Sequence, residues 1–195
     1  MNDRPLRGIL PVVPTTFSDQ GSLDLESQRR ALDCMIDQGV DGACILANFS
    51  EQFLLADEER NQLLSVCLNH VAGRIPIIVT CSHFSTRIAI ERAQQAEAAG
   101  AAMIMMMPPY HGTALKADEN GIREHFERVA GAIDIPIMLQ DAPLSGVALS
   151  VHLLAELAQA IPQLAYFKIE VPGTATKIRA LIEAAGDAVL GPLDG

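Results

Sequence analysis

Apolar residues follow two alternating patterns along the chain. Short runs are apolar at nearly every position, and longer segments between them place apolar residues three or four apart. The short runs (8–14, 42–46, 76–80, 101–107, 135–139, 164–168 and 188–190) predict seven strands. The longer segments (25–38, 57–71, 85–99, 118–130, 150–160 and 174–185) predict six helices. Gly39 and Gly100 stand where two of the helices should stop, and Asp57, Glu58 and Glu59 suit the dipole of a helix start. Strands apolar on both faces are covered on both faces, which implies a parallel sheet with crossover helices.

Two α/β architectures fit this order: a (β/α)8 TIM barrel and an open doubly wound sheet. No glycine stands in Val12-Val13-Pro14-Thr15-Thr16-Phe17 after the first strand, so the glycine-rich dinucleotide fingerprint is missing there and the barrel is favoured. A barrel has eight strands and typically about 250 residues. The 195 residues end just past the seventh predicted strand. The expectation is one domain over 1–195, a barrel truncated after about the seventh strand, lacking its eighth repeat and leaving unpaired edges. An intact seven-stranded open sheet is the competing possibility.

In either architecture the site lies at the C-terminal ends of the strands. Those ends carry Pro14-Thr15-Thr16, Ala47-Asn48-Phe49-Ser50-Glu51, Thr80-Cys81-Ser82-His83, Pro108-Pro109-Tyr110-His111-Gly112, Gln140-Asp141-Ala142-Pro143 and Lys168. Lys168 is the unusual member, because it closes the apolar run Leu164-Ala165-Tyr166-Phe167. An ammonium in an apolar environment is paired or sheds its proton, and a neutral lysine amine attacks carbonyls to form a Schiff base. A strand-end lysine pointing into solvent is the bland alternative.

Composition narrows the partners. A net charge of −10 without a Lys/Arg cluster argues against nucleic acid. Cys34, Cys44, Cys67 and Cys81 lack metal-ligand spacing and read as small hydrophobes in a reducing cytoplasm. No apolar run reaches the roughly 18 residues of a membrane span, and the N-terminus has no secretory h-region. Met103, Met105, Met106 and Met107 read as core packing. His70, His125 and His152 fall on helices and read as surface or interface positions.

The blocks Gly8-to-Phe17, Asn48-to-Glu51, Pro108-Pro109-Tyr110, Ile135-Pro136-Ile137-Met138-Leu139, Pro143 and Lys168 have the order and spacing of one family. The chain resembles the dihydrodipicolinate synthase / N-acetylneuraminate lyase family of lysine Schiff-base barrels. The resemblance implies a small 2-keto acid substrate, an imine on Lys168 in place of any cofactor or metal, and a homotetramer of tight dimers; the cytoplasmic location is expected from the missing secretory signal and membrane span. Three departures stand out. The second-strand loop reads Ala47-Asn48-Phe49-Ser50-Glu51 instead of Gly-Thr-Thr-Gly-Glu, Gln140 replaces a proton-relaying tyrosine, and His111 replaces the second of two tyrosines.

The stretches Ile45-Leu46-Ala47-Asn48-Phe49-Ser50-Glu51-Gln52-Phe53, Gln140-Asp141-Ala142-Pro143 and Tyr166-Phe167-Lys168-Ile169-Glu170 together are most similar to the 2-keto-3-deoxy-sugar-acid dehydratases, which implies a hydro-lyase acting on L-2-keto-3-deoxyarabonate. Retro-aldol cleavage to pyruvate starts from the same imine, and a non-catalytic sugar-acid-binding module is the other alternative. With Gln140 unable to carry a proton, His111 is the first candidate for that role, since imidazole titrates at about 6.5. Tyr110, Ser50 and His83 are the alternatives. Asn48 and Ser50 are candidates for the substrate carboxylate, Phe49 for a wall of the site, and Gln140 and His83 for further substrate contacts.

Overall fold

Every predicted helix forms, with ends within a residue of those expected: α1 (Leu25–Asp37), α2 (Asp57–Val71), α3 (Thr86–Ala98), α4 (Glu119–Ala130), α5 (Val151–Ala160) and α6 (Thr174–Ala185). Local chemistry sets these ends. The side chains of Asp24, Asp118 and Ser150 accept from the N–H groups of Ser27, Gly121 and Leu153, satisfying donors a helix start leaves unpaired. The computed structural model describes residues 6–111 and 115–194, so Gly112 of the predicted loop and the terminal Gly195 lie outside the described residues. None of these helices is long and apolar enough to cross a membrane.

The chain divides into two compact units. The first comprises Leu6–Thr80 with Ala98–Met103. Here β1 (Ala43–Ile45) runs parallel to β2 (Ile77–Thr80), with Ala43 opposite Ile77 and Ile45 opposite Val79. Helices α1 and α2 pack together. The strand expected at 8–14 is only a bridge, Val12 to Cys44. Its backbone accepts from Asp41 N–H at Ile9 and from Cys44 N–H at Pro11, and Val13 donates to Cys44. Pro11 and Pro14 have no N–H to give, so the ladder cannot lengthen.

The second unit comprises Cys81–Glu97 and the chain from Ile104. Its parallel strands are ordered β3 (Met103–Met106, in this unit from Ile104), β6 (Ile137–Asp141), β7 (Leu164–Ile169), β8 (Gly191–Asp194). Each strand lies beside its successor in the chain, apart from the small antiparallel hairpin β4 (Tyr110–His111) and β5 (Leu115–Lys116). That unreversed order is the winding of a barrel. A doubly wound sheet reverses at a switch point.

Two local expectations are corrected here. Tyr110 and His111, expected in the loop after a strand, pair in the hairpin instead, and its strands of two residues each are too short to leave a periodic signal. The last strand is not at 188–190, where a 3-10 turn (Gly186–Ala188) ends, but at Gly191–Asp194. Gly191 faces the ring of Tyr166, and a Cβ there would lie 2.3 Å from its Cδ1. The close approach of two strands, not local apolarity, decides that register.

The core is aliphatic and sulfur-rich. Met103, Met105, Met106 and Met107 are fully buried, as are Cys44, Cys67 and Cys81, while Cys34 is exposed. His125 corrects another expectation. It is buried, 1% exposed, on the same face of α4 as Ile122, Phe126 and Val129, and Thr86 Oγ1 lies 2.9 Å from its Nδ1.

Burial, with smaller contributions from Arg128 and His83, lowers the His125 pKa to about 4. The unfolded chain therefore takes up a proton below about pH 6.5 that the folded chain refuses until near pH 4. Stability is full above that window and falls as the pH drops through it, by up to roughly 3 kcal/mol. Urea unfolding at pH 4.5 and pH 7 should show this loss, and His125→Gln should remove most of it.

Candidate active site

β7 is buried along its length except at one residue, Lys168, which is half-buried. Its ammonium lies 3.0 Å from Glu170 Oε1, with the two side chains only 15% and 13% exposed. The residue opposite Lys168 across the ladder is Gln140 of β6. Gln140 Nε2 donates to Glu170 Oε2 at 2.5 Å, the orientation required because a carboxylate only accepts. One carboxylate thus sits between an amine and an amide.

Two further residues complete the group. Glu170 N–H donates to the Asp141 carbonyl at 2.9 Å, fixing the turn that leaves β7. Asp141 is wholly buried, and its Oδ2 accepts from Lys177 Nζ of α6 at 2.6 Å. Lys177 also donates to the Leu149 carbonyl. Two ammonium and two carboxylate groups balance across β6, β7 and α6, which makes burying them tolerable.

The chemistry this geometry allows is proton exchange between a carboxylate and an amine. Glu170 can take the ammonium proton and release a neutral amine, and it stays within reach of groups bound at Nζ. Lys168 and Gln140 are the two residues of this group expected from the sequence, and Glu170 is not among those expected. The signal was present, since residues two apart on a strand share a face. Asp141 and Lys177 are 36 residues apart, and only the fold brings them together.

The remaining candidates lie elsewhere in each unit. In the second unit His83, Phe84 and His111 form a ladder, with ring centroids 4.2 Å and 4.5 Å apart. His83 Nδ1 accepts from Ser85 N–H, and His111 is exposed. Tyr110, its phenol pKa raised by burial, lines a cavity of about 220 Å³ with Phe84, Thr86, Pro109, Lys116 and Ala117.

In the first unit Ser50 is buried, with its hydroxyl donating to the Val13 carbonyl at 2.6 Å and its own carbonyl accepting from Thr15 Oγ1. Asn48 Oδ1 accepts from Gln52 Nε2 at 3.1 Å. Phe49 is 78% exposed. Leu46 and Glu51, at φ 55° and 57°, flank this loop in a left-handed conformation that side chains disfavour. Among the described residues no group of His, Cys, Asp and Glu could hold a metal ion.

A parallel sheet wound in chain order, helices between its strands and a lysine at a strand's C-terminal end define an α/β protein of the (β/α)8-barrel type, represented here by part of the barrel. Residues 5–190 match the dihydrodipicolinate synthetase family, and the chain belongs to it. L-2-keto-3-deoxyarabonate dehydratase of Azospirillum brasilense is 59% identical over 189 residues, covering 97% of this chain and 61% of that protein. 4-Hydroxy-tetrahydrodipicolinate synthase of Bartonella quintana (strain Toulouse) is 32% identical over 155 residues, covering 79% of this chain and 52% of its own.

Among solved structures, the Escherichia coli K12 prophage protein YagE, in complex with pyruvate, superposes with a TM-score of 0.89 at 31% identity. That match covers 96% of this chain and 63% of YagE. A dihydrodipicolinate synthetase family structure from Pseudomonas aeruginosa gives 0.91 at 29%, over 98% of this chain and 64% of that one. The chain thus spans between about half and two thirds of the length of these relatives.

Proposed function

We propose that this protein is a lysine Schiff-base hydro-lyase that dehydrates a 2-keto-3-deoxy sugar acid, L-2-keto-3-deoxyarabonate, to 2-oxoglutarate semialdehyde. The observation that carries the reading is the Lys168–Glu170 contact at 3.0 Å, with Gln140 on the second carboxylate oxygen. The 59% identity to a dehydratase of that name supports the substrate. In this reading the enzyme works in the cytoplasm as a homotetramer on a free sugar acid.

The steps balance as follows. Glu170 accepts the ammonium proton, and the Lys168 amine adds to the C2 carbonyl and expels water to form an imine. Protonated, that imine draws electrons from C3, so a C3 proton passes to a base and an enamine forms. The enamine pair expels the C4 hydroxyl, which leaves as water with a proton from the acid. A proton then leaves C5 and one returns to C3, which leaves an enol between C4 and C5. The enol takes a proton at C4 and gives up its hydroxyl proton, so that C5 becomes the aldehyde, and hydrolysis of the imine frees the lysine. The imine is itself the electron sink, so this route needs no further cofactor.

The proton-transfer role falls to Glu170 because it touches the amine, whereas Tyr110 and His111 assemble around Phe84. Glu170→Gln keeps the shape and one of the two acceptor contacts, its NH2 group facing the other donor, but cannot carry a proton. It should still form the imine and lower kcat by on the order of 10²–10³, with KM little changed.

The test of the whole reading is borohydride reduction with pyruvate or the sugar acid, followed by peptide mapping. An adduct on Lys168 and semialdehyde as product are expected. No adduct, or one elsewhere, overturns the Schiff base; pyruvate released from the sugar acid would mean cleavage of C3–C4 instead of dehydration.

A further inference from the structure

Asp141 stands behind the reacting groups, yet it holds both ends of the segment that carries Glu170. Its backbone carbonyl accepts the Glu170 N–H, and its carboxylate accepts Lys177 Nζ from the first half of α6. Between those two anchors the chain passes through Gly173, at φ 83°, and Thr174, whose hydroxyl donates to the Val171 carbonyl at 2.7 Å. Lys177 also donates to the carbonyl of Leu149, so the same ammonium ties in the loop before α5. The residue before Asp141 is Gln140, the amide that grips the Glu170 carboxylate.

We propose that the buried Asp141–Lys177 pair is a positioning device for the proposed reaction, a clamp that fixes where the Glu170 carboxylate stands relative to Lys168. This inference rests on the Schiff-base reading. Imine formation needs the neutral amine and space for a carbonyl, and a slightly displaced carboxylate still takes the ammonium proton. Proton removal at C3 needs the carboxylate placed to a fraction of an ångström, and misplacement of about 1 Å costs on the order of 10²-fold. The clamp therefore acts on the proton-transfer step more than on covalent capture.

Pyruvate separates the two steps, because its methyl group is the counterpart of C3. Exchange of the methyl protons for deuterium, followed by NMR, reports enamine formation; borohydride trapping reports the imine. In the full-length protein, the neutral pair D141N/K177M should still form the trapped adduct at Lys168, while methyl exchange falls roughly 10- to 100-fold. K177R, which keeps the charge and the donors, should exchange within about threefold of the unsubstituted protein.

Exchange within twofold in a cooperatively folded D141N/K177M would overturn the clamp. If the double variant does not fold, D141N alone decides: a fall of about fivefold or more in exchange with trapping retained supports the clamp, and unchanged exchange refutes it. Failure of the unsubstituted protein to trap or exchange pyruvate would instead overturn the Schiff-base reading, and the clamp with it.

Discussion

Lys168→Met should abolish the borohydride-trapped pyruvate adduct and lower kcat/KM by on the order of 10⁵-fold or more, the scale on which covalent nucleophiles fail when removed. Methionine has nearly the length of lysine and suits a strand otherwise buried, so the packing of β7 survives. Glu170 keeps its hydrogen bond from Gln140, and its 13% exposure leaves some access to water, so the fold tolerates the lost ammonium. Lys168→Arg is the informative companion. It retains the positive charge beside Glu170 but cannot form an imine, so it should be as inactive as methionine. Substantial activity in the arginine variant would show that the charge, not the nucleophile, carries the reaction.

The second large effect is on stability. Lys177→Met removes the cation beside a carboxylate with no solvent exposure, and Asp141 Oδ1 has no hydrogen-bond partner among the described residues. An uncompensated buried charge of this kind costs about 3–5 kcal/mol. For a chain of this size that lowers Tm by roughly 10 °C. Thermal unfolding followed by circular dichroism measures it. Adding Asp141→Asn to Lys177→Met should recover a large part of the loss, because the buried charge goes with its partner. A Lys177→Met protein within about 1 kcal/mol of the unsubstituted one would mean that water reaches the carboxylate.

How far each feature was legible in the sequence depends on the range of the interaction that makes it. The caps of α1, α4 and α5 are side chains within three residues of the N–H groups they satisfy. The strands followed from their double-sided apolarity. The stripe Ile122, His125, Phe126, Val129 also spelled a buried face, and His125 was misplaced only because its polarity outweighed its position. The proline-limited bridge at Val12 could have been foreseen from Pro11 and Pro14. The shift of β8 could not, because it depends on Tyr166, 25 residues before Gly191.

The candidate site divides in the same way. A lysine ending an apolar strand is visible in one stretch of sequence, and so, two positions on, is the carboxylate on its face. By itself the sequence determined the helices, most strands, the parallel winding and the lysine, because these follow from periodicities of two and 3.6 residues and from caps within a turn. Only the tertiary structure decided that Gln140 faces Lys168, that Glu170 lies between them, and that Asp141 holds Lys177. Those contacts are set by strand register and helix packing across 28 to 36 residues, and no local pattern encodes them.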